Sequence, residues 1–128
     1  MMKCEFTHAC IRVMDLEKSL DFYQNALGLK ESRRKDFPEH KFTLVYLKDD
    51  ITDFELELTY NYDQKEPYQI GNGFSHLAVL VDDLEAMHQK HKEMGYEVTD
   101  LKGLPGSPPK YYFISDPDGY RTEIIRKE

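Results

Sequence analysis

The sequence predicts an α+β fold built from two tandem β-α-β-β-β modules. Three observations predict it: an internal repeat, a switch of apolar period within each copy, and turn residues at matching places. The repeat is read by setting Thr7-His8-Ala9-Cys10-Ile11-Arg12-Val13-Met14-Asp15-Leu16-Glu17 above Ser75-His76-Leu77-Ala78-Val79-Leu80-Val81-Asp82-Asp83-Leu84-Glu85. At a constant offset of 68 (His76 against His8), His, Val, Asp, Leu and Glu coincide, and Thr faces Ser. A period near half of the 128 residues, occurring twice, indicates a duplicated module rather than a solenoid.

Each module reads alike. Residues 6–13 and 75–81 are rich in Val, Ile and other apolar residues and read as strands. Asp15 and Asp83 suit helix N-caps, and Asp82 with Glu85 fits a capping box. Leu16, Leu20, Tyr23 and Leu27 recur at helical spacing, and Leu84, Met87, His91 and Met94 give the second helix a similar stripe. Gly28 and Gly95 suit the left-handed position after each helix. Residues 41–48 and 54–60 read as strands joined by Asp49-Asp50-Ile51-Thr52-Asp53. In the second half, residues 111–115 and 121–125 are joined by Asp116-Pro117-Asp118-Gly119, a strong turn signal. Residues 97–101 read as a further strand, and the Pro- and Gly-rich residues 102–110 as an ordered surface loop. The whole is expected to be one domain, with modules 5–62 and 74–127 joined by the linker 63–73.

Composition narrows the function. Apolar residues make up 40% of the chain, with 7 Phe and 9 Tyr, enough for a packed core. No apolar run approaches the about 20 residues of a membrane span, and no charged-then-apolar leader opens the sequence. Cys4 and Cys10 cannot make a disulfide framework, so a reducing, cytoplasmic setting is expected. The net charge of −7 repels a phosphate backbone, and the one basic cluster (Lys30, Arg33, Arg34, Lys35) is diluted by Glu31 and Asp36. Neither nucleic acid nor membrane is an expected partner.

The repeat also places chemistry. Alternate residues of a strand share a face, so His8, Cys10 and Arg12 point one way, and His76, Ala78 and Leu80 form the matching face. The closing strands align at an offset of 66 (Glu123 against Glu57). Leu56, Leu58 and Tyr60, or Thr122 and Ile124, form the apolar face there, and Glu57 and Glu123 lie opposite. The repeat thus predicts a two-fold arrangement of His8, Glu57, His76 and Glu123. Glu55 shares the face of Glu57 but lies about 6–7 Å along the strand, too far to share a metal whose ligand bonds are about 2 Å. Register favours Glu57. Two neutral imidazoles and two carboxylates balance a divalent first-row ion, and the absence of thiolates argues against a closed structural zinc site. His88 and His91, on one helix face without a carboxylate arrangement, read as solvated or packing residues. His40 reads as exposed, and Cys10 as a lining residue without a base to activate it. Neither glycine-containing loop carries the lysine and hydroxyl of a phosphate cradle.

These residues resemble the glyoxalase I (lactoylglutathione lyase) family of the vicinal oxygen chelate superfamily, from about Thr7 to Ile125. The carrying passages are His8-Ala9-Cys10-Ile11-Arg12-Val13 with Ser19-Leu20-Asp21-Phe22-Tyr23, Leu56-Glu57-Leu58-Thr59-Tyr60-Asn61, His76 with Val81-Asp82, and Asp116-Pro117-Asp118-Gly119-Tyr120 leading to Glu123. The resemblance implies the vicinal oxygen chelate fold, an open, curved sheet or barrel. It makes His8, Glu57, His76 and Glu123 the metal ligands. It implies isomerisation of the methylglyoxal–glutathione hemithioacetal to S-D-lactoylglutathione by proton transfer through an enediolate held by the metal. Glu123 matches the base and Glu57 a second acid–base. Arg12 and Asn61 match positions contacting the γ-glutamyl end of glutathione. The short chain is similar to the nickel- or cobalt-activated class, with zinc still open, and the resemblance implies a homodimer with sites shared between subunits or closed within one chain. Asn72 stands where some members have an arginine, and residues 105–109 supply no matching lysine, so another small thiol could replace glutathione.

Two alternatives stand beside this reading. Another enzyme of the superfamily, an acyl-CoA epimerase or a dioxygenase, would want a basic nucleotide groove or only three protein ligands. A metal-free binding protein of the resistance type would not need the four donors.

Overall fold

The computed structural model describes residues Met2–Glu128, which divide into two compact units, one up to Tyr68 and one from Gln69 to Glu128. The first unit contains β1 (His8–Arg12), α1 (Leu16–Leu27), β2 (Lys30–Phe37), β3 (Phe42–Lys48) and β4 (Glu55–Asn61). Its sheet has the order β1-β4-β3-β2, with β1 parallel to β4 and the other pairs antiparallel. The second unit contains β5 (Leu77–Val81), α2 (Leu84–Glu93), β6 (Tyr111–Ser115) and β7 (Arg121–Arg126). Its sheet runs β5-β7-β6, again with the first strand parallel to the last. Both sheets are open and mixed, so the βαβββ-like architecture takes the open rather than the barrel form.

In α1 the Asp15 carboxylate accepts a hydrogen bond from Lys18 N, and Gly28 closes the helix at φ 69°. A side chain at that φ would press its Cβ on the following carbonyl, which is why glycine stands there. The buried face is Ser19, Leu20, Phe22, Tyr23 and Ala26, one residue askew from the expected stripe, with Leu16 and Leu27 at its half-buried margins. Ile11, Val13, Leu56 and Leu58 are buried on the sheet side, as the alternation required. The 49–53 turn is held by Asp49, whose carboxylate accepts from Ile51 N, Thr52 N and the Thr52 hydroxyl.

The second helix begins at Asp83, whose side chain accepts from Ala86 N, so the Asp82–Glu85 capping box does not form. Its buried residues are Leu84, His88 and His91, while Met94 is exposed. The two histidines are packing residues, and each is tied to a distant segment: His88 Nε2 lies 2.8 Å from the Thr99 carbonyl and His91 Nδ1 2.8 Å from the Tyr112 hydroxyl. Burial pushes the Tyr112 phenol well above its ordinary range, so it stays protonated. Residues 97–101 form no strand: Val98 makes one isolated bridge to Ile114 of β6, and Lys102, just beyond, makes another to Tyr111. The ladder is interrupted where Phe113 N donates to the Thr99 side chain. The 116–119 turn forms as expected, with Asp116 Oδ1 accepting from Asp118 N and Tyr120 N.

Strand β2 was hidden from pattern reading because all but its last residue are exposed, so no apolar alternation marks it. It is an edge strand blunted by charge, with Arg33 paired to Glu55 at 3.1 Å and Arg34 to Glu31 at 2.9 Å. Among the described residues no helix is long and apolar enough to cross a membrane.

Two predictions follow from the local chemistry. Asp15→Ala is expected to destabilise the protein by about 1 kcal/mol through loss of the cap, read as a lower Tm. Burial alone would raise the Asp49 carboxyl, but its bonds from Thr52 and Ile51 outweigh that and hold it below the ordinary value. Its stabilising effect is therefore complete above the unfolded value of about 3.9 and is lost as pH falls through the lower folded value. In denaturant titrations across that range, Asp49→Asn should flatten the acid limb of stability relative to the parent.

Candidate metal centre

Each unit builds one half-site in the same way. In the first, His8 lies on the exposed face of β1 and Glu57 on the same side of neighbouring β4. His8 Nε2 stands 3.2 Å from Glu57 Oε1. In the second, His76 precedes β5 and Glu123 lies on β7, with His76 Nε2 3.1 Å from Glu123 Oε1. The carboxylates are largely covered and the imidazoles about one-third exposed, so each pair faces an accessible surface from a fixed base. Neither unit by itself gathers three or more His, Cys, Asp or Glu side chains among the described residues.

The donor set fits a divalent cation. Two donors about 2.1 Å from one ion lie about 3.0 Å apart at a right angle and about 3.4 Å apart at a tetrahedral one. The pairs, at 3.2 and 3.1 Å, fall within that span. Each half offers one nitrogen and one carboxylate oxygen, donors of the kind that borderline divalent ions accept. Glu55 is drawn out of the contest by its neighbours: Ser32 Oγ donates to Glu55 Oε2 at 2.5 Å and Arg33 binds both carboxylate oxygens. These bonds hold the Glu55 carboxyl below its ordinary value. Register and electrostatics agree on Glu57 as the available carboxylate of β4.

A family model described as the Glyoxalase/Bleomycin resistance protein/Dioxygenase superfamily matches residues 5–124. The chain is 44% identical over 94% of its length to a lactoylglutathione lyase of Neisseria meningitidis serogroup B, covering 89% of that protein. The chain belongs to the Glyoxalase/Bleomycin resistance protein/Dioxygenase superfamily. Within this glyoxalase superfamily it is also 36% identical to the lactoylglutathione lyase of Haemophilus influenzae, over 97% of this chain and 93% of that one. The trypanothione-dependent glyoxalase I of Leishmania major superposes with a TM-score of 0.83 at 33% identity, covering 97% of this chain and 87% of that chain.

Set in this glyoxalase fold, the supporting residues become informative. Both imidazoles lean edge-on against an aromatic ring: His8 on Tyr46 at 5.6 Å and His76 on Phe113 at 5.1 Å between centroids. Each ring carries an arginine over its face, Arg33 at 3.8 Å and Arg121 at 4.1 Å. Ser75 Oγ lies 2.6 Å from His76 Nδ1; with the proton on Nδ1 donated to that oxygen, Nε2 presents its lone pair outward. Thr59 Oγ1 donates to Glu57 Oε2 at 3.0 Å. Burial would raise the Glu57 carboxyl, but hydrogen bonds from Cys10, Tyr46 and Thr59, with His8 close by, bring it below its ordinary value. The Cys10 thiol is raised, chiefly because its sulfur is partly sheltered, so it stays protonated and is no nucleophile.

Of the remaining site residues read from sequence, Arg12 is exposed on the face of His8. Asn61 is half-buried at the end of β4, its Nδ2 donating to the Tyr68 hydroxyl at 2.9 Å. Tyr46, Thr59 and Ser75 were not singled out from sequence. Only Ser75 left a signal, beside the repeated histidine; the others needed the pairing of strands. If register selects the ligand, Glu57→Gln should weaken binding of cobalt to the metal-free protein about 10-fold or more, whereas Glu55→Gln should change it far less, both read by equilibrium titration.

Proposed function

We propose that the protein is a metal-dependent lactoylglutathione lyase that isomerises the hemithioacetal of methylglyoxal and glutathione to S-D-lactoylglutathione. The observation that carries this reading is the His–Glu pair built twice, at 3.2 and 3.1 Å. It occurs in a chain 44% identical to a lactoylglutathione lyase. His8, Glu57, His76 and Glu123 would hold one divalent ion, Ni²⁺ or Co²⁺ in preference to Zn²⁺, because an N₂O₂ set with room for two further oxygens suits octahedral ions. When bound, the ion supplies Lewis-acid stabilisation of the negative charge that develops on the two vicinal oxygens of the substrate.

The protein's own groups then have distinct tasks. The Glu123 carboxylate takes the proton from the carbon that bears sulfur and hydroxyl and returns it to the adjacent carbonyl carbon. The hydroxyl proton passes to the former carbonyl oxygen, so that the hydroxyl carbon becomes the thioester carbonyl and no atom is gained or lost. Being held beside the other donors, it needs little rearrangement to reach that proton, and geometry precedes basicity in such a step. Arg12 offers a cation and Asn61 an amide to the γ-glutamyl end of the thiol. The glycyl end finds no arginine at Asn72, which leaves room for a small thiol other than glutathione.

Each module, 5–62 and 74–127, supplies only two donors, so a full set requires one half-site of each kind. We place the complete site in a homodimer, His8 and Glu57 of one subunit meeting the partner's His76 and the partner's Glu123, with closure inside one chain as the other arrangement. The acyl-CoA epimerase and dioxygenase readings fit less well: the chain is acidic, and a fourth protein ligand fills a position that oxygen chemistry needs. Cytoplasmic action is in keeping with its two thiols.

Thioester formation from methylglyoxal and glutathione across nickel, cobalt and zinc tests the proposal. Glu123→Gln should lower kcat by about 100-fold or more while the protein still takes up cobalt. Near-normal turnover in that variant would overturn the base assignment. A parent protein without bound or activating divalent ion would point instead to a metal-free binder.

A further inference from the structure

Beside each histidine the neighbouring strand places a charged residue, and the two halves differ in its sign. In the first sheet His8 pairs with Glu55. In the second, one residue ahead of the pair Leu77 and Thr122, stand His76 and Arg121. An arginine also covers an aromatic ring in each half. The Arg33 guanidinium carbon lies 3.8 Å from the centroid of Tyr46, and that of Arg121 lies 4.1 Å from the centroid of Phe113. The first of these cations is neutralised, because Glu55 accepts from it through both carboxylate oxygens. The second is not. Arg121 stands where the acid would be, and the second sheet has one strand fewer from which a partner could come. Among the described residues Arg121 has no carboxylate within ion-pair distance, whereas Arg33, Arg34 and Arg126 each have one. In a chain with 24 acidic residues against 17 basic ones, such an arginine is an exception.

We propose that Arg121 is a substrate-binding residue that takes a carboxylate of the thiol cosubstrate. The proposal rests on the functional reading above and deepens it, since it names the group by which the second half-site selects its thiol. Arg121 is exposed on β7, on the same strand face as Glu123 and about 6–7 Å from it along the strand. A thiol whose reacting carbon lies at the Glu123 carboxylate carries its peptide carboxylates past that cation. The ring beneath Arg121 is held from other sides as well, with His76 edge-on at 5.1 Å and Tyr111 at 5.7 Å between centroids. Stacking engages one face of the planar guanidinium and leaves the N–H donors at its rim for a bidentate carboxylate. Because the ring orders the side chain beforehand, little rotamer freedom is lost when the ligand arrives. Glutathione carries two carboxylates, γ-glutamyl and glycyl, and both match this chemistry.

Calorimetric titration of the cobalt-loaded protein with S-methylglutathione tests this without turnover. Arg121→Gln should weaken binding about 10-fold or more, as loss of a charge-assisted hydrogen bond requires. Arg121→Lys, which keeps the charge without the fork, should fall between that variant and the parent. In turnover the same loss should appear in KM, with kcat falling far less. Two analogues locate the carboxylate: the glycyl ethyl ester of S-methylglutathione, and S-methylated γ-aminobutyryl-cysteinyl-glycine, which lacks the γ-glutamyl carboxylate. With one of them Arg121→Gln should bind like the parent, and that analogue identifies the carboxylate that Arg121 takes. An equal loss with all three ligands would show Arg121 acting only through the Phe113 ring and would overturn the proposal. So would an Arg121→Gln protein that binds S-methylglutathione like the parent. Failure of the functional reading looks different: the parent would form no thioester from methylglyoxal, while the carboxylate-dependent difference between parent and Arg121→Gln would persist.

Discussion

The site depends on one geometric constraint, the approach of an imidazole nitrogen and a carboxylate oxygen to about 3 Å across a parallel strand pair, achieved twice. In each unit the first strand is laid parallel against the last, with a helix and antiparallel strands between them in the chain. Strand alternation then puts histidine and glutamate on the face opposite Leu56 and Leu58 in one unit and Thr122 and Ile124 in the other. Slipping either ladder by one residue would turn the glutamate into the core and bring Leu56 or Leu58 out. The burial of those two leucines therefore fixes the half-site as firmly as any contact made by the glutamate itself.

Much of this is legible in the amino-acid order because its causes are local. The outward face of His8, Cys10 and Arg12 follows from a period of two, the caps at Asp15 and Asp83 from their side-chain oxygens, and the 116–119 turn from its Pro, Asp and Gly. What stays hidden depends on partners far away in the chain. Strand β2 has no apolar alternation, since both its faces meet water, and only its ladder with β3 defines it. His88 and His91 can be read as solvated or as packing residues until Thr99 and Tyr112 are seen to receive them. The donors around Glu57 come from three strands, and no spacing within one of them announces the cluster.

The sequence repeat is most informative where it is imperfect. The matched histidines and glutamates identify the half-sites, and the mismatched residues around them, Tyr46 against Phe113 and Thr59 against Ile125, distinguish the two carboxylates. The two acids therefore sit in unlike surroundings, Tyr46 and Thr59 beside Glu57 and Phe113 and Ile125 beside Glu123. That difference is one of neighbouring hydroxyl groups. Membership of the glyoxalase superfamily alone would not expose it, because fold does not settle function.

The charged edge strand has a consequence for how the first half-site ages and fluctuates. Border segments of a sheet open more readily than its middle, and β2 holds Ser32 and Arg33, which clasp Glu55, and through Arg33 the ring of Tyr46. When this margin frays, a spare carboxylate is set loose beside the working one and the aromatic prop of His8 loses its cover in the same event. The surroundings of His8 and Glu57 are thereby tied to the integrity of an outlying ribbon.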